Sequence, residues 1–134
     1  MRPVDHIICV EPFGWQVGVL RDRDAFAAWL DAEAPADGTD WGDAEAGVRS
    51  FRRDDGGNVF VCFMPPGAPA RTHAHEAVHL AWYVCDTAGV ELDVDNHEVQ
   101  AYLVGFFVRE FERIDREDQA DGSELGDAQP GETA

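Results

Sequence analysis

The chain holds 134 residues, room for one compact domain and little more. Its hydrophobic fraction of 45% is that of an ordinary globular protein and excludes wholesale disorder. Against 27 acidic residues stand 10 basic ones, all arginine, for a net charge of -17; such a surface repels phosphate backbones and anionic headgroups, which argues against direct nucleic-acid or membrane partners.

No apolar run approaches the roughly 20 residues that span a bilayer, and Met1 to His6 lacks the basic-then-apolar layout of a secretory leader. Cys9, Cys62 and Cys85 are odd in number, widely spaced and set in apolar runs, which reads as three buried thiols in a reducing, intracellular compartment such as the cytoplasm.

In chain order, Ile7–Val10 and Trp15–Leu20 read as short strands around the turn Glu11-Pro12-Phe13-Gly14. Asp22 or Asp24 can cap a short helix whose Phe26, Trp29 and Leu30 share one face. Residues 34–47, rich in Ala, Asp and Gly, form a loop that is ordered if Trp41 packs down. Val48–Arg52 and Asn58–Met64 make a hairpin around Asp54-Asp55-Gly56-Gly57. A first long helix runs from an N-cap at Thr72 to about Ala88, stopped by Gly89. A second starts near Asp95-Asn96 and runs to about Arg113, with Val99, Leu103, Phe106, Phe107 and Phe111 mostly at helical spacing. The expected fold is α+β, a small mainly antiparallel sheet packed on two long helices. Residues 1–114 form the domain; residues 115–134, with seven acids and one arginine, form a solvated tail dispensable for folding.

The chemistry is concentrated in His75-Glu76-Ala77-Val78-His79. Two histidines at i and i+4 lie one turn apart on one helical face, where both imidazoles can reach a single zinc ion. Glu76 projects beside them, able to hold and deprotonate a water whose pKa the metal lowers towards about 7. A catalytic site needs a third protein ligand and an open fourth position. His97 and Glu98, 18 and 19 residues after His79, are the candidates, with Glu98 favoured because Ala101 and Tyr102 give its helix face a small-and-aromatic wall. Asp95-x-x-Glu98 also matches a capping box, the competing use of that carboxylate.

Tyr102, and Tyr83 four residues after His79, can donate to a tetrahedral oxyanion; otherwise each is a packed aromatic whose hydroxyl reaches water. His73 falls nearly opposite His75 around the helix and reads as solvent-exposed or capping. Trp82, Phe106 and Phe107 read as core.

His75-Glu76-x-x-His79 followed by Glu98-x-x-Ala101-Tyr102 resembles the gluzincin pattern, in which a downstream helix supplies a glutamate ligand. Within residues 72–112 the chain looks most like the small H-E-x-x-H proteins encoded by tailed phages and, more distantly, the minimal metallopeptidases of the ImmA/IrrE kind. The resemblance implies a zincin-like zinc-binding domain, often from a virion or prophage gene. It departs from the thermolysin pattern, where an aspartate four residues after the ligand glutamate orients a histidine; Tyr102 stands there instead.

Three functions fit these residues. The first is a zinc peptidase acting on protein or peptide substrates, with the strand Asn58–Met64 aligning an extended chain by edge pairing. The second is a head or tail component whose metal staples the fold among phage structural proteins. The third is an acidic inhibitor that mimics nucleic acid, which leaves the H-E-x-x-H unexplained.

Overall fold

The computed structural model describes residues 3–34 and 38–128, with side chains described to residue 122. The elements are β1 (His6–Val10), β2 (Trp15–Leu20), α1 (Arg23–Glu33), β3 (Gly47–Arg52), β4 (Asn58–Phe63), α2 (Ala70–Ala88) and α3 (Glu98–Ala128). The fold is α+β, as the order of strands and helices predicts. The four strands form one sheet in the order β1-β2-β4-β3. The β1/β2 and β3/β4 pairs are antiparallel, whereas β2 and β4 run parallel. That parallel join needs a long connection, which α1 and β3 provide.

Helices cover both faces of this sheet. In β4, Phe60, Cys62 and the following Met64 face α2 and α3, while Val59, Val61 and Phe63 face α1. Alternation of side chains across a strand buried on both faces explains why residues 59–64 are apolar without a break. One core gathers Ile8, Val17, Val19, Leu80, Val84 and the α3 stripe Leu103, Phe107, Phe111 and Ile114. The other gathers Phe26, Trp29 and Leu30 of α1 beneath Trp41.

Several local readings hold. Asp22 caps α1 by accepting from the Ala25 amide at 2.9 Å. Trp41 does pack down, edge-on to Phe26 with ring centroids 5.0 Å apart and under the Arg49 guanidinium. It occupies the space over Gly47, where a Cβ would lie 2.9 Å from ring carbon Cε3. Gly56, at φ 88°, closes the β3–β4 hairpin.

Other readings change. Strand β4 is interior, paired on one side with β2 and on the other with β3, so Asn58–Phe63 has no free edge for a substrate. The free edges belong to β1 and β3. Cys9 is exposed because it alternates with buried Ile8 and Val10 on an edge strand; Cys62 and Cys85 are buried.

The largest change concerns the chain after Ile114. Helix α3 continues to Ala128 and carries part of the fold with it. Arg21, at the end of β2, is 10% exposed and points its guanidinium at α3. It pairs with Asp115, donates from Nε to Asp118 at 3.0 Å, and donates to the Met64 carbonyl at 2.9 Å. His6 of β1 joins Asp118 at 2.9 Å. Asp115 and Asp118 are therefore part of the folded unit, and the expected solvated tail does not begin at residue 115. Residues 129–134 lie outside the described residues.

Candidate metal centre on helix α2

Helix α2 starts where Pro65, Pro66 and Pro69 end any strand, and Pro69, not Thr72, takes the N-cap position. Thr72 sits inside the first turn, buried, its amide donating to the Pro69 carbonyl at 2.9 Å. The helix stops at Gly89 as its sequence predicts. Gly89 adopts φ 76°, and the amides of Gly89 and Val90 return to the carbonyls of Asp86 and Cys85 at 3.1 and 2.8 Å. This doubly bonded reversal needs a left-handed residue, which glycine supplies without a Cβ penalty.

Within α2 the buried face runs through Thr72, His73, Glu76, Ala77, Leu80, Ala81 and Val84. His75 and His79 fall on the opposite, exposed side. Their Nε2 atoms stand 3.2 Å apart. Two ligand nitrogens each about 2.05 Å from one zinc ion at a tetrahedral angle would be separated by about 3.3 Å. The pair therefore has the bite that a single ion requires.

Glu76 lies between this exposed pair and the core. It is 6% exposed, with Oε2 3.9 Å from the Nε2 of His75. Burial pushes its carboxyl above the ordinary glutamate range, while His75 and His79 draw it partly back. The same carboxylate raises the buried Cys62 thiol beyond what desolvation already does. An open cleft of about 390 Å³ reaches His75 and Glu76 and is walled by Glu45, Ala46, Arg71 and Thr72, so the start of edge strand β3 adjoins the site.

The second helix is packed antiparallel to α2 in a particular register. Phe111 packs against His73 at the start of α2, the rings tilted by 38° with centroids 5.5 Å apart. Glu98 lies about 20 Å up α3 from Phe111, whereas His79 lies about 9 Å along α2 from His73. Glu98 consequently stands towards the far end of α2, exposed, and is not brought to the histidine pair. Among the described residues, no three His, Cys, Asp or Glu side chains converge as a metal site. The capping box does not form either. His97 is the residue preceding α3, its carbonyl accepting from Ala101 at 3.0 Å, so Glu98 is the first helical residue instead of the third.

Remaining residues separate cleanly. Tyr102 is 64% exposed on α3, whereas Tyr83 is half-buried against the core. Phe107 is buried and Phe106 partly so, but Trp82, expected in the core, is 51% exposed. His73 is buried, contrary to its expected exposure, with Nε2 3.7 Å from Asp115 and no hydrogen-bond partner among the described residues. Position around the helix separates it from His75 as expected, but the side away from the metal pair is the packed side.

Among the described residues no helix is long and apolar enough to cross a membrane. No protein-family model, curated protein or solved structure matches this chain.

Proposed function

We propose that this protein is a zinc-dependent hydrolase of peptide bonds, built around His75, Glu76 and His79. The observation that carries the reading is the 3.2 Å spacing of the two imidazole nitrogens with a buried carboxylate beside them. His75 and His79 would hold the ion, and Glu98 is the candidate third donor. Glu98 reaches it only if the first turn of α3 and the preceding segment, exposed from Glu91 to Glu98 apart from Leu92, move towards His79; metal binding would select that arrangement. Bound zinc supplies Lewis acidity, polarising a carbonyl and acidifying water.

The chain's own residues supply the rest. Glu76 accepts a proton at Oε2, which stands 3.9 Å from the Nε2 of His75. Its burial keeps the carboxylate fixed while the histidines stay open to substrate. Edge strand β3 takes over the aligning role first expected of Asn58–Met64: its free backbone groups adjoin the cleft at Glu45 and Ala46, so an extended peptide added there passes His75. Tyr102 is the candidate donor to an oxyanion.

The test couples metal content to turnover. The purified chain should carry one zinc ion and cleave an unstructured protein. Glu76→Gln should retain the zinc and lose the cleavage. Zinc retained with no cleavage by the unaltered chain would instead favour a structural role, as in a virion component.

A further inference from the structure

Between Arg71 and Asp86 the solvent side of α2 presents Ala74, His75, Val78, His79 and Trp82, with no acidic or arginine side chain among them. Glu76, the acid in this stretch, is buried. On a chain of net charge -17, this is a face that a second copy can approach without apposed carboxylates. Val78 and Trp82 are large apolar side chains left open to water beside the histidines. The histidine pair has the bite of one zinc ion, yet among the described residues no third donor of the same chain converges on it.

We infer that a second copy of the chain completes this metal site. Two α2 helices cross antiparallel, and one zinc ion is held by His75, His79, the partner's His75 and the partner's His79. Two such pairs supply the four ligands of a closed tetrahedral site. Charge sets the direction of the crossing. From the midpoint of the pair, Arg71 lies about 9 Å towards the start of α2, while Trp82 and Asp86 lie about 8 and 14 Å towards its end. Antiparallel helices therefore set Trp82 beside the partner's Arg71, with Asp86 one turn further on the same side. A guanidinium there can stack on the indole and pair with the carboxylate at once. Parallel helices would lay Asp86 on Asp86 and Arg71 on Arg71, and would align the two helix dipoles. Arg71 can exchange partners, because its contact with Glu45 is 3.9 Å long and both side chains are exposed. A single helix crossing buries less than the total of about 1,200 Å² found in stable interfaces, and each copy carries -17, so the assembly depends on the ion. This inference goes beyond the hydrolase reading. It needs no movement of Glu98, and it fills the position that hydrolysis requires open, so the paired form is the closed form of the same site. By mass action, excess zinc favours separate chains with one ion each.

Sedimentation of the full chain at about 100 µM reads the assembly as zinc is added, and elemental analysis of each species reads the metal. In chelator the chain should be a monomer. At one zinc per two chains it should become a dimer holding half an ion per chain. His79→Ala should abolish the dimer and leave the melting temperature in chelator unchanged, because that side chain is exposed. Glu98→Ala should leave the dimer intact. Arg71→Asp should weaken the dimer about five-fold or more. Adding Asp86→Arg to it, which returns the net charge to -17, should restore the unaltered affinity. A monomer at every zinc ratio, a dimer indifferent to His79→Ala, a dimer holding one ion per chain, or no rescue by the charge exchange would overturn the assembly. A chain that stays monomeric, carries one ion and cleaves leaves the hydrolase reading standing alone. A half-zinc dimer that persists in excess zinc, or whose zinc-loaded monomer cleaves nothing, removes the hydrolase reading alone.

Discussion

Truncation after Ile114 should destabilise the protein strongly, although it removes only polar and charged residues near the break. The reason is Arg21. Its guanidinium is 10% exposed, and its carboxylate partners, Asp115 and Asp118, both lie beyond that point. Removing the partners of a buried ion costs about 3–5 kcal/mol, because the remaining charge is left desolvated and unpaired. Asp118 is itself about one-third exposed, so water screens its share and the total falls towards the lower figure. With an unfolding entropy of about 2.1 cal/mol/K per residue, 3 kcal/mol in a chain of this size corresponds to roughly 12 °C in Tm. Thermal melts followed by circular dichroism, comparing the full chain with residues 1–114, measure this directly. Arg21→Met in the truncated chain should recover more than half of the loss, since most of the cost is the stranded charge itself. A Tm change below about 3 °C on truncation would show that Arg21 does not depend on α3 in solution, and the reasoning would fail.

Three further outcomes follow from the same structure. His75→Ala and His79→Ala should each abolish stoichiometric zinc by elemental analysis; Glu98→Ala should weaken zinc by orders of magnitude if it closes the site, yet cost under about 1 kcal/mol of stability because its side chain is exposed. Gly47→Ala should cost about 1–3 kcal/mol in denaturant melts, because the new methyl overlaps the Trp41 ring, and altered tryptophan fluorescence should accompany it. A thiol reagent should modify Cys9 rapidly and Cys62 only on unfolding: Cys9 is exposed, whereas Cys62 is buried and its thiol is raised by desolvation and by Glu76, so little thiolate exists to react. Mass spectrometry counts the labels, and rapid modification of Cys62 in the native protein would refute that account.

What the sequence determined by itself is local. Asp22 as a cap, the Gly56 turn and the Gly89 stop depend on backbone conformations and hydrogen bonds spanning a few residues, so residue type alone announces them. The spacing of His75 and His79 likewise fixes their common helical face, since one turn of helix is all that joins them. The tertiary structure decided everything that depends on which face meets which neighbour. The unbroken apolar run of β4 was legible as a strand, but its interior place between β2 and β3 is a matter of topology. His73 and Trp82 exchanged their expected environments because the side of α2 turned to the core was chosen by Phe111 and the sheet, not by the helix's own periodicity. The extent of α3 is not legible in the sequence because Asp115 and Asp118 look like solvated acids until Arg21, more than ninety residues earlier, is folded against them. Glu98's distance from the histidines was hidden for the same reason. The count of residues between two helices sets how far a chain can reach, whereas the register in which their side chains interlock sets where each residue stands.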